Sequence, residues 1–321
     1  MKTVIAACLL LLASHNALAL QHHLLIVSGI GGTEAYRQQF TSQAETLMQA
    51  ALDAGIARDN VLMLVAESDG ANYRPADKQS LLQAIREIDT RAGIEDRVFV
   101  ILIGHGNARG DSALFNLPGP DLSADELGAA LDLLGERQLV VVNTASASGP
   151  FIKRLAAGNR IVITATASGQ EFHAPLFAGF FVSAFATAGA DRDKDERISM
   201  LEAFDFARRE VQRSYDSDKR LLTEHALLDD NGDGEGSLEP GEYEADGMLA
   251  NRVYLQQPRS AATGASSELV AMLQRKLELE QSIRDLKRQR GNMERVSYYD
   301  RLESLLIDLA LLSRQIRAGD S

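Results

Sequence analysis

The chain has 321 residues and one cysteine, Cys8, which lies within the opening segment MKTVIAACLLLLASHNALA. That segment has a short basic start, an apolar stretch and a small-x-small ending at Ala17-Leu18-Ala19, the pattern of a secretory leader cut after Ala19. Without it no thiol remains, so disulfides, thiolate metal sites and a cysteine nucleophile are excluded, although an extracytoplasmic compartment would permit disulfides. Basic residues are scarce too: 33 Lys and Arg stand against 45 Asp and Glu, a formal net charge of −12. Nucleic-acid phosphates need a basic surface, which argues against such a partner. Past the leader no apolar run approaches the roughly 18 residues that span a bilayer. The expectation is a soluble protein secreted across the inner membrane, periplasmic or extracellular.

What is present is alternation. The runs HLLIVSG (23–29), VLMLVAE (61–67), VFVILIG (98–104), LVVVN (139–143) and IVITATA (161–167) are strand-like, and segments of helical character fall between them. The runs are apolar throughout instead of alternating polar and apolar, which predicts a mostly parallel sheet covered on both faces. NRVYL (251–255) reads as a last strand. Ligands of such folds sit beyond the carboxyl ends of the strands. Two segments there carry chemistry: GHGN puts His105 just past one strand, and TASASG puts hydroxyls just past another.

The order of these motifs resembles the legumain-type peptidases and, more distantly, the caspases. Those families place His-Gly after the third strand and a small-Cys-x-Ser-Gly turn after the fourth. By that resemblance His105 and Gly106 fall at the His-Gly, and Ser146 stands where the family has its nucleophilic cysteine. AYRQQF after IVSGIGG resembles the legumain segment whose arginine lines the pocket for the residue before the cleaved bond, which carries over to Arg37. ALFNLPGPDLSADEL sits where legumains have a strand, a turn and an acidic helix start. The resemblance covers roughly residues 22–255 and implies an α/β fold, a caspase-like three-layer sandwich around a mostly parallel six-stranded sheet. A peptide or protein is the implied ligand.

Serine at 146 changes the chemistry. A thiol is a few per cent ionised at neutral pH, whereas a hydroxyl needs a base in direct contact and a third group to orient that base. Two readings follow: a silent homologue that binds peptide through Asn143, Thr144 and Ser148, or an endopeptidase using Ser146 with His105. An α/β-hydrolase elbow is not met, because Thr144 and Ser148 occupy its glycine positions. GIGGTE fails the dinucleotide fingerprint at Glu34.

Two acidic loops follow. DRDKDERISMLE matches an EF-hand loop at Asp191, Asp193, Asp195, the Arg197 carbonyl, Ser199 and the closing Glu202, with Glu196 in place of the turn glycine. Ca2+ is the expected ion, and a calcium-dependent scaffold is a third functional reading. ISMLEAF also reads as a helix start capped by Ser199, with Glu202 at its third position. DDNGDGEGS offers Asp229, Asn231 and Asp233, to be closed by Glu239 or Glu242 because Pro240 holds the twelfth position. The chain thus divides into a leader (1–19), a main domain (20–255), a linker (256–267) and a helical hairpin (268–321). In the hairpin Met272, Leu279, Leu286 and Met293, then Leu302, Leu309 and Ile316, recur every seven residues, with a break near Gly291-Asn292. Such a pair packs on its own domain or self-associates.

Overall fold

A computed structural model describes residues 20–67, 73–109, 112–187, 189–241, 245–256 and 293–319, with single residues between 272 and 290. Its centre is a seven-stranded sheet built from β1 (His22–Ser28), β2 (Val61–Val65), β3 (Arg74–Pro75), β4 (Arg97–Ile103), β8 (Gln138–Asn143), β9 (Arg160–Thr164) and β10 (Leu227–Asp229), in the order β10-β9-β8-β4-β1-β2-β3. All neighbours are parallel except β10, which runs antiparallel to β9. A small antiparallel sheet of β5 (Gly106–Arg109), β6 (Ser112–Phe115) and β7 (Leu122–Ser123) rises from the end of β4.

The unbroken apolar runs divide by parity. On β4, Phe99, Ile101 and Ile103 join one buried cluster with residues of α1 (Glu34–Asp53), α5 (Phe177–Ala184) and α6 (Met200–Ser217). Val98, Val100 and Leu102 join the other, with residues of α2 (Lys78–Arg91), α3 (Ala124–Asp132) and α4 (Phe151–Leu155). Each side chain so buried stabilises the fold by roughly 1.5–3 kcal/mol before entropy is counted. Both faces of the sheet must therefore be covered, and the three-layer arrangement follows.

Two expectations need correction. The sheet has seven strands instead of six, because two-residue β3 extends the edge beside β2. The last strand is Leu227–Asp229, not NRVYL. Residues Ala250–Arg252 form a 3-10 turn, and Tyr254 makes a single bridge to Ser199. LLD is too short for periodicity to reveal, and it is embedded in the acidic stretch.

Of the linker, residues 257–267 lie outside the described residues. The described residues from Met272 to Leu286 are helical, and α7 spans Arg295–Gly319. Arg290 stands over the ring of Tyr298 at 5.9 Å. Ile316, in the heptad seam, is buried, while Leu306, Ile307 and Leu311 outside it are exposed.

Candidate functional site

Beyond β4 the chain passes through Gly104 into His105, and beyond β8 through Thr144 and Ala145 into Ser146. Because β4 and β8 are hydrogen-bonded neighbours, with Leu102 opposite Asn143, the two segments leave the sheet side by side. Thr144 holds them together, its N–H and its hydroxyl both donating to the Leu102 carbonyl at 2.9 Å.

His105 keeps the parity of Phe99, Ile101 and Ile103 and so turns toward α1. Its ring meets Tyr36 edge-on at 4.7 Å and Phe40 at 5.0 Å, and it hydrogen-bonds the backbone of Gly31. Burial pushes the imidazole below its ordinary range, the Gly31 contact opposing. The ring is therefore neutral at pH 7. No described carboxylate pairs with it, so the third member of a serine triad is missing among the described residues.

Ser146 is 2% exposed. Its Oγ receives the Gly106 N–H at 3.2 Å and donates to the Gly106 carbonyl at 2.9 Å. A side chain at 106 would collide with this turn, since its Cβ would stand 2.5 Å from the Ser146 carbonyl oxygen. Only glycine lets the two backbones come so close. The hydroxyl thus faces peptide groups, not an imidazole. The neighbouring Ala147 sits at φ 53°, in the left-handed region.

The remaining predicted residues divide. Arg37, in the first turn of α1, is at the same end as His105, but its Nε and Nη2 donate to the two Glu34 carboxylate oxygens at 2.8 and 2.5 Å. Gln38 donates to the same carboxylate. Asn143 shares the parity of Leu139 and Val141 and so turns toward the face opposite His105. Its Oδ1 accepts the Ala145 N–H at 3.1 Å, while its buried Nδ2 has no partner among the described residues. Ser148 is buried against Thr166, hydroxyl to hydroxyl at 3.1 Å.

The acidic loops sit at the other end of the molecule. Met200, in the closing part of the first loop, donates to the Val253 carbonyl, and two residues on the Leu255 carbonyl takes a hydrogen bond from His22 at the start of β1. In the second loop Gly232 lies against Ala157, in the turn that leads into β9. Both are therefore at the amino ends of the strands, away from His105 and Ser146.

The two loops share one scaffold. Asp191 accepts the Glu196 N–H, Asp193 that of Asp195, and Asp195 that of Arg197. Asp229 accepts the Gly234 N–H, Asn231 that of Asp233, and Asp233 that of Glu235. Oxygens of Asp191, Asp193 and Asp195 gather within 4.8 Å. Glu202 closes back on the loop, accepting the Arg192 N–H at 2.8 Å, while its other oxygen accepts the Ser199 N–H and hydroxyl. The calcium and cap readings of Ser199 and Glu202 thus share the same atoms. Glu196, in the glycine position, takes φ 68°. Burial, then repulsion from Asp195, Glu202 and Asp191, pushes Asp193 up to about 6. Arg197 lies over the Tyr254 ring at 4.0 Å and donates to Asp195 at 2.6 Å, so a cation there competes with a guanidinium.

In the second loop Glu239 points away, paired with Arg208 at 3.2 Å, and Glu242 lies outside the described residues. The carboxylate gathered there is Asp246, which the sequence reading missed. It is buried, accepts the Asp230 N–H at 3.1 Å, and is pushed up to about 6 by burial and by Asp229, Asp230 and Asp233. Seventeen residues separate it from Asp229, so loop spacing held no signal for it.

Comparison with known proteins gives one family. The sequence profile of the Peptidase C13 family, the legumain family, matches residues 76–220. That segment contains His105, Ser146 and the first acidic loop but not Arg37. Among curated proteins none matches the chain. Among solved structures the chain is similar to protein GSU0716 from Geobacter sulfurreducens, with 13% identity over 65% of this chain and 92% of that one, at a TM-score of 0.45.

Proposed function

Starting from the Peptidase C13 match over residues 76–220, we propose that this chain is an exported legumain-type homologue that binds peptide at the His105 and Ser146 end without hydrolysing it. The observation that carries the reading is the pairing of the Ser146 hydroxyl with both the backbone N–H and the backbone C=O of Gly106 instead of with His105. A hydroxyl held this way has no base to take its proton. It also occupies the Gly106 N–H, a donor that would otherwise be free to receive an oxyanion. With Glu34 already across Arg37, a ligand group reaching that guanidinium must displace a carboxylate first. Calcium in the acidic loops has a stabilising role in this reading, at the far end of the domain. The exposed apolar residues of α7 are the surface for self-association through the C-terminal helices. Export rests on the leader at 1–19, which lies outside the described residues.

The test is paired. Purified protein and its Ser146→Ala variant are incubated with a fluorogenic peptide library randomised at the residue before the scissile bond, and binding of the same peptides is followed by fluorescence anisotropy. Saturable binding with no turnover by either protein is the expected result. Turnover that disappears with Ser146→Ala would instead make Ser146 a nucleophile.

A further inference from the structure

The Ser146 turn is covered, and the cover is fastened from two sides. The segment after β9, Ala165 to Glu171, lies along the turn. Glu171 accepts the Ala147 N–H through its carbonyl at 2.8 Å, Thr166 Oγ1 accepts the Gly149 N–H at 3.1 Å, and the Thr166 N–H donates to Ser148 Oγ at 3.3 Å. The two backbones touch so closely that a Cβ on Gly149 would fall 2.3 Å from the Ala167 carbonyl carbon. A Cβ on Gly169 would likewise fall 2.6 Å from the Ala108 Cβ, on the strand that follows His105. On the far side from the turn, a side-chain anchor joins the segment to another part of the chain. The Glu171 carboxylate accepts the His225 N–H at 2.8 Å, and its other oxygen lies 3.5 Å from His225 Nδ1. Just past this anchor Phe172 is 69% exposed and its ring lies tilted against that of His173 at 4.9 Å, so the chain leaves the contact without entering the core.

We propose that Thr166–Glu171 is a lid closed over the Ser146 turn, and that the contact between Glu171 and His225 is its catch. Two features support a device that opens over mere packing. The bonds between lid and turn are few and local, so releasing them leaves both apolar clusters intact. The turn beneath holds Ala147 in the left-handed region, a strained conformation for a residue with a Cβ that the Glu171 carbonyl helps to hold. A ligand reaching the turn must release the catch first, so affinity is reduced by the fraction of lids that are shut. The inference rests on reading this end of the sheet as the peptide-binding end.

The experiment measures access directly. In a Cys8→Ser background the Ser146→Cys variant carries one thiol, and its alkylation by iodoacetamide is timed in native buffer. Adding Glu171→Ala should speed that alkylation by at least about tenfold, the size of one hydrogen bond to a charged group. Glu171→Gln, which keeps an acceptor for the His225 N–H, should restore slow labelling. A second reporter, Val141→Cys in the core of β8, separates opening from unfolding, and its rate should not respond to Glu171→Ala. An unchanged rate at position 146, or equal acceleration at 141 and 146, overturns the lid. Faster labelling at 146 with no peptide bound by any variant supports the lid and removes the peptide reading. Peptide binding that Glu171→Ala leaves unchanged, with labelling also unchanged, keeps the peptide reading and removes the lid.

Discussion

Ser146 and Gly106 exchange two hydrogen bonds across the ends of β8 and β4, the Gly106 N–H donating to Ser146 Oγ at 3.2 Å and the hydroxyl returning its own proton to the Gly106 carbonyl at 2.9 Å. The Ser146 side chain is a tie between two loops. In such a role its removal is a structural loss before it is a chemical one.

Ser146→Ala should therefore cost about 1–3 kcal/mol of stability, because the Gly106 N–H and C=O are left buried without partners. Urea denaturation followed by circular dichroism measures it. A variant as stable as the parent would contradict the tie, and would do so whether or not peptides are cleaved.

Ala147→Gly tests the strain next door. At φ 53° an alanine pays a steric cost that glycine escapes, so the substitution should raise stability by roughly 0.5–1 kcal/mol after glycine's greater freedom in the unfolded chain is set against it. Most alanine-to-glycine changes destabilise, so a gain here in the same denaturation assay has a clear sign. A loss of the usual size would mean that the turn relaxes away from the left-handed region in solution.

His22 sets a pH dependence. Its buried ring packs on Phe99 at 5.3 Å, Nδ1 donates to the Leu255 carbonyl at 3.1 Å, and burial holds its pKa near 4 against an ordinary 6.5. Between those values the unfolded chain binds a proton that the folded chain refuses. Its contribution is complete above pH 6.5 and is lost as pH falls toward 4, with about 2 kcal/mol gone at pH 5. Asp193, raised to about 6 in the fold, has the opposite sign and gains as pH falls through 6. The comparison is therefore with His22→Gln, in which the aspartates cancel. The stability difference between the two proteins should shrink or reverse by that amount from pH 7 to pH 5, and a constant difference would refute the assignment.

The sheet was legible because burial on both faces leaves a continuous apolar run, which Leu24 to Val27 and Val98 to Ile103 display without interruption. The helicity of Arg295–Gly319 was legible from a different period, an apolar residue every seven positions. Leu227–Asp229 was hidden because three residues carry no period and their pairing is set by β9, more than sixty positions away in sequence. His105 and Ser146 were found at strand ends, yet their separate engagements could not be read. The Gly106 peptide that takes the hydroxyl and the Tyr36 and Phe40 rings that take the imidazole are tertiary partners. Asp246 escaped for the same reason, since its place beside Asp229 is made by tertiary hydrogen bonds that join Asp230 to Asp246, Gly247 and Ala250 and not by loop spacing.

Calcium is the last expectation to test. Burial, then repulsion from Asp195, Glu202 and Asp191, pushes Asp193 up to about 6, and a divalent cation among the gathered oxygens of Asp191, Asp193 and Asp195 relieves the repulsive part. An ion bound only by the folded chain stabilises it by about 2.7 kcal/mol at a hundredfold excess over its dissociation constant. Melting followed by circular dichroism should accordingly move up with millimolar calcium and down with chelator. Glu202→Gln should remove most of the gain assigned to the first loop, and Asp246→Asn that assigned to the second. Since both loops lie at the amino ends of the strands, calcium should leave the labelling rate of Ser146→Cys unchanged while it raises the melting temperature. Identical melting curves in calcium and in chelator would remove the ion from both loops, leaving Glu202 as the capping-box partner of Ser199 at the start of α6 and Asp246 as a buried acid that holds the Asp230 N–H.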